Sequence, residues 1–182
     1  MESAVLKTSR LLLRPFHEED IDPLYEIQGN RDAMRHTFQA ASREAAERNL
    51  RRYAESAARN GFAPWTAVLQ SEDRVIGWGG LSIDPFDPGW GIEVSYFFHP
   101  NYWGQGFATE LVLAALDHGF RSLRLDLIGA FARPENLASI RVLEKSGFRF
   151  LHYEPKLERN RYEVARKGWN AKGGPVGRTL LD

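Results

Sequence analysis

Leu11 and Leu13 share one face of a short alternating run that Pro15 closes, so residues 10–16 predict a strand. A helix should follow, with Asp20 as N-cap, Pro23 in its first turn and Gly29-Asn30 as its stop. A second helix is expected from about Ser42 to Asn60, rich in Ala, Glu and Arg and closed by Asn60-Gly61. Residues 62–70 (FAPWTAVLQ) and Val75–Ile83 flank the polar turn SEDR and predict a hairpin. After the Pro/Gly loop 84–91, the run Ile92–Phe98 (IEVSYFF) predicts a strand that His99-Pro100 ends. The segment NYWGQGFATE then leads into a helix reaching about His118, with Gly119 as its stop. Leu123–Phe131 reads as a strand, Pro134-Glu135-Asn136 opens a helix that ends at Ser146-Gly147, and Phe148–Pro155 and Arg161–Lys167 are two closing strands. There is no internal repeat. Strands interleaved with helices in the second half imply a partly parallel sheet, and hairpins elsewhere make it mixed.

Composition narrows the class. The chain has 182 residues, 43% hydrophobic and 26% charged, which fits one folded domain and excludes wholesale disorder. We expect a domain over residues 1–168 and a loosely held tail over 169–182. Lys and Arg number 24 and Asp and Glu number 24, so the balance argues against a dedicated nucleic-acid or membrane-surface binder. The absence of cysteine excludes disulfides, Cys-ligated zinc and a Cys nucleophile. The apolar run Leu11–Leu13, flanked by Arg10 and Arg14, is too short for a signal peptide, so a cytoplasmic location is expected. His17, His36, His99, His118 and His152 have no metal-ligand spacing, and no metal is expected.

Tyr102-Trp103-Gly104-Gln105-Gly106-Phe107-Ala108-Thr109-Glu110 carries the clearest chemistry. A strand ends, glycines turn the chain, and a helix begins. Free N–H groups and the positive dipole end at such a helix start suit a phosphate. A plain tight turn is the competing reading of this stretch alone. No GK[ST] follows, so it is not a Walker A loop, and the third glycine of a Rossmann fingerprint is missing. A second stretch, Pro134 to Phe148, contains Asn136-x-x-Ser139 and Lys145-x-Gly147-Phe148.

Together these stretches resemble the GNAT superfamily of acetyl-CoA-dependent N-acetyltransferases, in its branch that includes the RimJ/RimL ribosomal-protein acetyltransferases. Arg10-Leu11-Leu12-Leu13-Arg14-Pro15, Arg74-Val75-Ile76-Gly77 and the strand from Glu93 to Phe98 add to the likeness, which runs in order over about residues 8–168. The resemblance implies an α+β fold, with a central, strongly twisted mixed sheet of about seven strands, flanking helices and two splayed parallel strands. Those two would be Ile92–Phe98 and Leu123–Phe131. The pantetheine arm of acetyl-CoA would lie between them, held by backbone near Phe97 and Phe98. The pyrophosphate would rest on amides of Gly104, Gln105, Gly106, Phe107, Ala108 and Thr109, and Asn136 would bond the pantetheine. The superfamily's loop usually begins with Gln or Arg where this chain has Trp103, which shifts anion binding onto the backbone.

An amine acceptor must lose a proton before it attacks. A lysine side chain titrates near about 10.4 and an α-amine near about 7.7–8.0, so an α-amine needs only a weak base or a water chain. Glu93 is the candidate base, because its apolar strand would raise its pKa toward neutrality. Alternation puts Glu93, Ser95 and Phe97 on one face and Val94, Tyr96 and Phe98 on the other. Leu143 stands where many family members carry a Tyr, and the resemblance to the RimJ/RimL branch implies Ser139 as the candidate acid, with a helix-surface Ser that contacts only backbone or cofactor as the competing reading. His99 is a secondary base candidate, and Tyr96 and Trp103 either pack the cofactor or fill the core, with core the preferred reading. The acceptor pocket is expected from Asn30–Ala41, Asp84–Gly91 and Lys156–Asn160.

The implied activity is direct attack of a primary amine on acetyl-CoA in a ternary complex. The acceptor would be a protein N-terminus or a small molecule, with a homodimer as an alternative to a monomer. The competing reading is a non-catalytic CoA or acetyl-CoA sensor of the same fold. Charge is divided unevenly: residues 1–91 sum to −3 and residues 92–182 to +3, with the cofactor motifs in the positive half.

Overall fold

The computed structural model describes residues 4–170. The strands are β1 (Leu6–Lys7), β2 (Leu11–Arg14), β3 (Trp65–Leu69), β4 (Arg74–Ile83), β5 (Ile92–Phe98), β6 (Leu127–Ala132), β7 (Arg149–Glu154) and β8 (Arg159–Ala165). The helices are α1 (Ile21–Gln28), α2 (Arg43–Asn60), α3 (Phe107–Asp117), α4 (Leu137–Lys145) and the short α5 (Arg166–Asn170). One sheet takes all the strands in the order β1-β2-β3-β4-β5-β6-β8-β7. Among the described residues only β5 and β6 pair in parallel, and they do so at one position, Glu93 opposite Gly129. The two strands therefore part along the rest of β5.

The sheet has eight strands where about seven were expected. The extra one, β1, is two residues long and too short for a period-two signal. Thr8 makes the turn that creates it: its N–H donates to the Leu11 carbonyl (2.9 Å), and its hydroxyl oxygen accepts from the Leu11 N–H (2.9 Å). β6 begins later than the expected Leu123, because a wide turn over His118–Ser122 prolongs α3 first. Arg166–Asn170 fold back as α5, and the Trp169 ring packs 6.0 Å from Phe120. The tail expected from residue 169 lies, beyond Asn170, outside the described residues.

The helices form for local reasons. Ser42 caps α2 by accepting from the Ala45 N–H (3.2 Å), and Gly61 ends it at a left-handed φ of 78°. Glu47 pairs with both Arg43 and Arg51 on its outer face. At the start of α1 the structure departs from expectation. Asp20 holds the N-cap position but makes no capping bond. Its carboxylate is buried and accepts from Arg14 (2.7 Å to each oxygen), the His17 N–H and the Thr66 hydroxyl. Burial pushes this carboxyl up, and those hydrogen bonds outweigh it and hold it below its ordinary value.

Strand alternation sorts the core onto two faces. Val94 and Phe98 of β5 pack with Leu111, Val112, Ala115 and Leu116 of α3 on one face. Trp78 packs with Leu24 and Ile27 of α1 and Leu50 of α2 on the other, where Phe97 joins it. Each fully buried aliphatic side chain of this kind contributes about 1.5–3 kcal/mol.

Candidate functional site

The parting of β5 and β6 sets the site. Below it, on the α3/α4 side, lies a cavity of about 420 Å³, of a size usual for small-molecule clefts. Phe97 and Phe98 of β5, Gly104, Gly106, Phe107, Ala108 and Thr109 of the glycine loop, and Asn136 and Ser139 of α4 all line it. Gln105 does not. Its amide Nε2 donates to the Asn101 carbonyl (3.0 Å), and its own carbonyl accepts from Arg10 (2.8 Å).

Glycine is required in the loop. Gly104 and Gly106 sit at φ 73° and 86°, and Gly106 is the N-cap of α3 without a side chain to cap it. Among the described residues, no protein acceptor takes the amides of residues 104–109. The loop thus presents unpaired donors at a helix N-terminus, and Arg35, Arg141 and Lys145 also line the cavity. This donor set fits a pyrophosphate, and the apolar part of the lining fits a pantetheine arm.

The loop is braced from the N-terminus. Glu110 of α3 accepts from the Thr8 hydroxyl (2.6 Å), the Ser9 hydroxyl (2.9 Å), the Arg10 N–H (2.8 Å) and the Arg10 Nε (2.7 Å). Burial pushes the Glu110 carboxyl up, but these donors together hold it below its ordinary value. The Arg10 guanidinium also lies 4.2 Å above the Phe107 ring. Trp103, for which the sequence favours core over cofactor packing, is exposed and lines the cavity, and its indole N–H donates to the Phe98 carbonyl (2.8 Å).

Asn136 and Ser139 meet each other. The Asn136 Oδ1 caps α4 by accepting from the Ser139 N–H (3.2 Å), and its Nδ2 donates to the Ser139 hydroxyl (3.1 Å). Leu143 is buried in the core. Tyr96, also read as core, lines the cavity, and its hydroxyl lies 3.5 Å from the Ser139 carbonyl. Burial pushes the Tyr96 phenol up to about 12, so it stays protonated at neutral pH. No local sequence signal separates such a Tyr from a core one.

Glu93 lies on the opposite sheet face, above the parting. Ser82, Glu93, Gly129 and Glu163 stand side by side across β4, β5, β6 and β8. Burial pushes the Glu93 carboxyl up to about 7, Asp84 and Asp87 push the same way, and Arg161 and Arg159 oppose. His99 accepts from the Asn101 N–H (3.2 Å) and so caps the turn at Pro100–Tyr102. The segment Asn30–Ala41 does not belong to the acceptor side alone. Its backbone folds back through Met34 to Asn30 and Ala40 to Gln28 bonds, which brings Arg35 over Trp103 and its neighbours into the cavity lining. Among the described residues there is no group of three His, Asp or Glu side chains placed for a metal ion, and no helix long and apolar enough to cross a membrane.

Comparison with known proteins agrees with this geometry. The Acetyltransferase (GNAT) domain family matches residues 10–149. The N-acetyltransferase p20 of Bacillus licheniformis, itself uncharacterised, is 30% identical over 145 residues, covering 79% of this chain and 81% of p20. A GNAT-family acetyltransferase of Bacillus anthracis superposes with a TM-score of 0.74 at 25% identity, over 90% of this chain and 99% of its own. The spermidine N-acetyltransferase of Vibrio cholerae, solved with CoA and spermine, superposes with a TM-score of 0.72 at 20% identity, over 90% and 99%.

Proposed function

This chain belongs to the GNAT acetyltransferase family, and on that premise we propose that it moves the acetyl group of acetyl-CoA directly onto a primary amine bound at Glu93. One observation carries the reading. Among the described residues, the one parallel ladder pairing between β5 and β6 is at Glu93 itself, so a carboxyl titrating near 7 borders the gap whose far side is the cavity with unpaired loop amides.

Each residue then has a task. Amides of Gly104 to Thr109 hold the pyrophosphate, and Asn136 turns its Nδ2 from Ser139 toward the pantetheine. Acetyl-CoA supplies the thioester carbonyl and the leaving sulfur. Glu93 accepts a proton from the acceptor ammonium, directly or through a water. The freed nitrogen lone pair forms the C–N bond to the thioester carbon, and a backbone N–H near Phe97 or Phe98 stabilises the oxyanion. The nitrogen gives up a second proton as the C–S bond breaks, and the departing thiolate takes one up. Ser139 and Tyr96, whose hydroxyl groups belong to the cavity lining, are the candidate donors for it. The products are an acetamide and CoA thiol.

Small amines enter the acceptor panel beside peptide N-termini, since one structural relative is named for spermidine. The test is thiol release from acetyl-CoA with peptides, polyamines and aminoglycosides. Turnover with at least one class is expected, and Glu93→Gln should lower kcat by about 100-fold or more. Tight CoA binding with no turnover on any amine would overturn catalysis and leave a sensor.

A further inference from the structure

The face around Glu93 carries more positive charge than the capture of an ammonium needs. Arg159, Arg161 and Glu163 alternate along β8 and so point to one side of the sheet. Register places Glu163 opposite Gly129 and Arg161 opposite Phe131, on the side of Glu93. Arg133, just beyond β6, continues the same row and acts on Arg159.

These cations are unevenly satisfied: Arg133 pairs with Glu135 (3.8 Å) and Glu158 (3.6 Å), whereas Arg159 has no such partner among the described residues. Arg159 is half-buried, and among the described residues its guanidinium has neither a hydrogen bond nor an ion pair. Burial and Arg133 both disfavour its charge, and only Glu93 and Asp84 favour it. Arg161 spends one nitrogen on Glu163 (2.8 Å), and its Nε is buried without a partner, as is the Nε of Arg133. Unpaired buried donors of this kind are costly unless something else binds them. A planar guanidinium beside open space is the usual host for a carboxylate.

The neighbours set the rest of the ligand. Trp90 and Phe131 meet edge to face at 5.4 Å, and Arg161 lies 5.9 Å and 5.7 Å from their rings. Asp84, Asp87 and Glu93 supply negative charge nearby, and Asp87 accepts from the Trp90 indole N–H (2.7 Å). The face therefore combines acids, an aromatic pair and arginines.

We propose that the acceptor is a small amino acid-like molecule, whose ammonium meets Glu93 and Asp84 and whose carboxylate binds Arg159 and Arg161. Strand rise separates the Gly129 and Phe131 rows by about 6.6 Å, a span that an arginine side chain bridges, so an α-amino or short-chain amino carboxylate fits. The aromatic pair favours an apolar body. The proposal rests on the acetyl-transfer reading for what happens to the amine, but not for the carboxylate contact.

Two measurements on the full chain with CoA separate the two readings. The first is calorimetric binding of N-acetylglycine, N-acetylmethionine and N-acetylphenylalanine against their carboxamides. The free acids should bind at least ten-fold more tightly. Arg159→Met should remove that preference while the affinity for CoA stays unchanged, and Arg159→Lys should keep part of it. Equal binding of acids and amides, no binding of any acid, or a preference that survives Arg159→Met would overturn the proposal. The second is acetylation of the parent amino acids, their amides and polyamines. Amides or polyamines acetylated as well as the free acids would overturn the carboxylate site and leave acetyl transfer standing. A retained acid preference with no turnover of any amine would defeat acetyl transfer and leave the carboxylate site standing.

Discussion

At the scale of single residues, Glu93 pays for its role in stability. Its folded pKa near 7 lies above the ordinary carboxylate value, so the folded state holds the proton that the unfolded state has already lost. Stability contributed by the neutral form therefore drains away as pH rises toward 7. If Glu93 is the base, as proposed, the same shift sets the pH dependence of activity, because only the ionised carboxylate accepts a proton. We expect kcat/KM to rise with pH through a midpoint of about 7, and Glu93→Gln to remove that limb from the pH profile. Glu93→Gln should also melt higher than the wild type at pH 8, since a buried charge is gone. A variant that lost activity without changing the limb would point to a structural role. Asp20 has the opposite sign. Its folded pKa is depressed, so its contribution is present above the unfolded value and lost as acid titrates the folded one. Asp20→Ala strands Arg14 and should cost about 3–5 kcal/mol in urea unfolding, typical for breaking a buried ion pair.

Among elements, the glycine loop depends on a strand distant in sequence. Arg10 and Glu110 are joined by a salt bridge at 2.7 Å, and Arg10 also bonds the Gln105 carbonyl. The turn before β2 thereby fixes the start of α3, where the unpaired amides lie. Arg10→Ala should loosen that start without touching the acceptor face. We expect the KM for acetyl-CoA to rise about ten-fold, about 1.4 kcal/mol, with kcat and the acceptor KM nearly unchanged. Equal loss in kcat would instead place Arg10 in the chemical step. The sequence shows why this brace is hard to anticipate. Arg10-Leu11-Leu12-Leu13-Arg14 advertises a strand, but nothing in it names Glu110, which lies 100 residues on. Trp103 gives a parallel case: its exposed ring and its bond to the Phe98 carbonyl follow from where the loop leaves β5.

For the molecule as a whole, one sheet separates two chemistries. The α3/α4 side holds most of the cavity with free amides and cations, joined by Phe97 and the segment around Arg35, and the α1/α2 side holds Glu93 with Asp84, Arg159 and Arg161. The two sides meet where β5 and β6 part. A ligand on the cavity side should therefore stabilise the entire fold. At CoA concentrations 100-fold above Kd, linkage predicts about 2.7 kcal/mol. For a chain of this size that is about 5–10 °C in Tm, readable by differential scanning fluorimetry. An unshifted Tm at millimolar CoA would remove the cavity as a CoA site.

What the sequence determined is what neighbours along the chain can encode. Period-two runs place β2 to β5 closely, and the glycines at 104 and 106 announce a turn that only positive φ permits. The alternation in Ile92–Phe98 assigns Val94 and Phe98 to one face and Glu93 and Phe97 to the other, as the two cores record. The tertiary structure decided which distant groups meet. Asp20 looks like a cap and is a buried partner of Arg14 and Thr66. Tyr96 looks like core and faces the cavity, and the segment around Arg35 reaches the glycine loop. Nothing near Arg159 and Arg161 in the chain names Glu93, yet sheet register across three strands brings them to it. The physical reason is common to all of these. Backbone periodicity is local, whereas burial, charge pairing and pKa depend on strand order and register, which only the folded sheet sets.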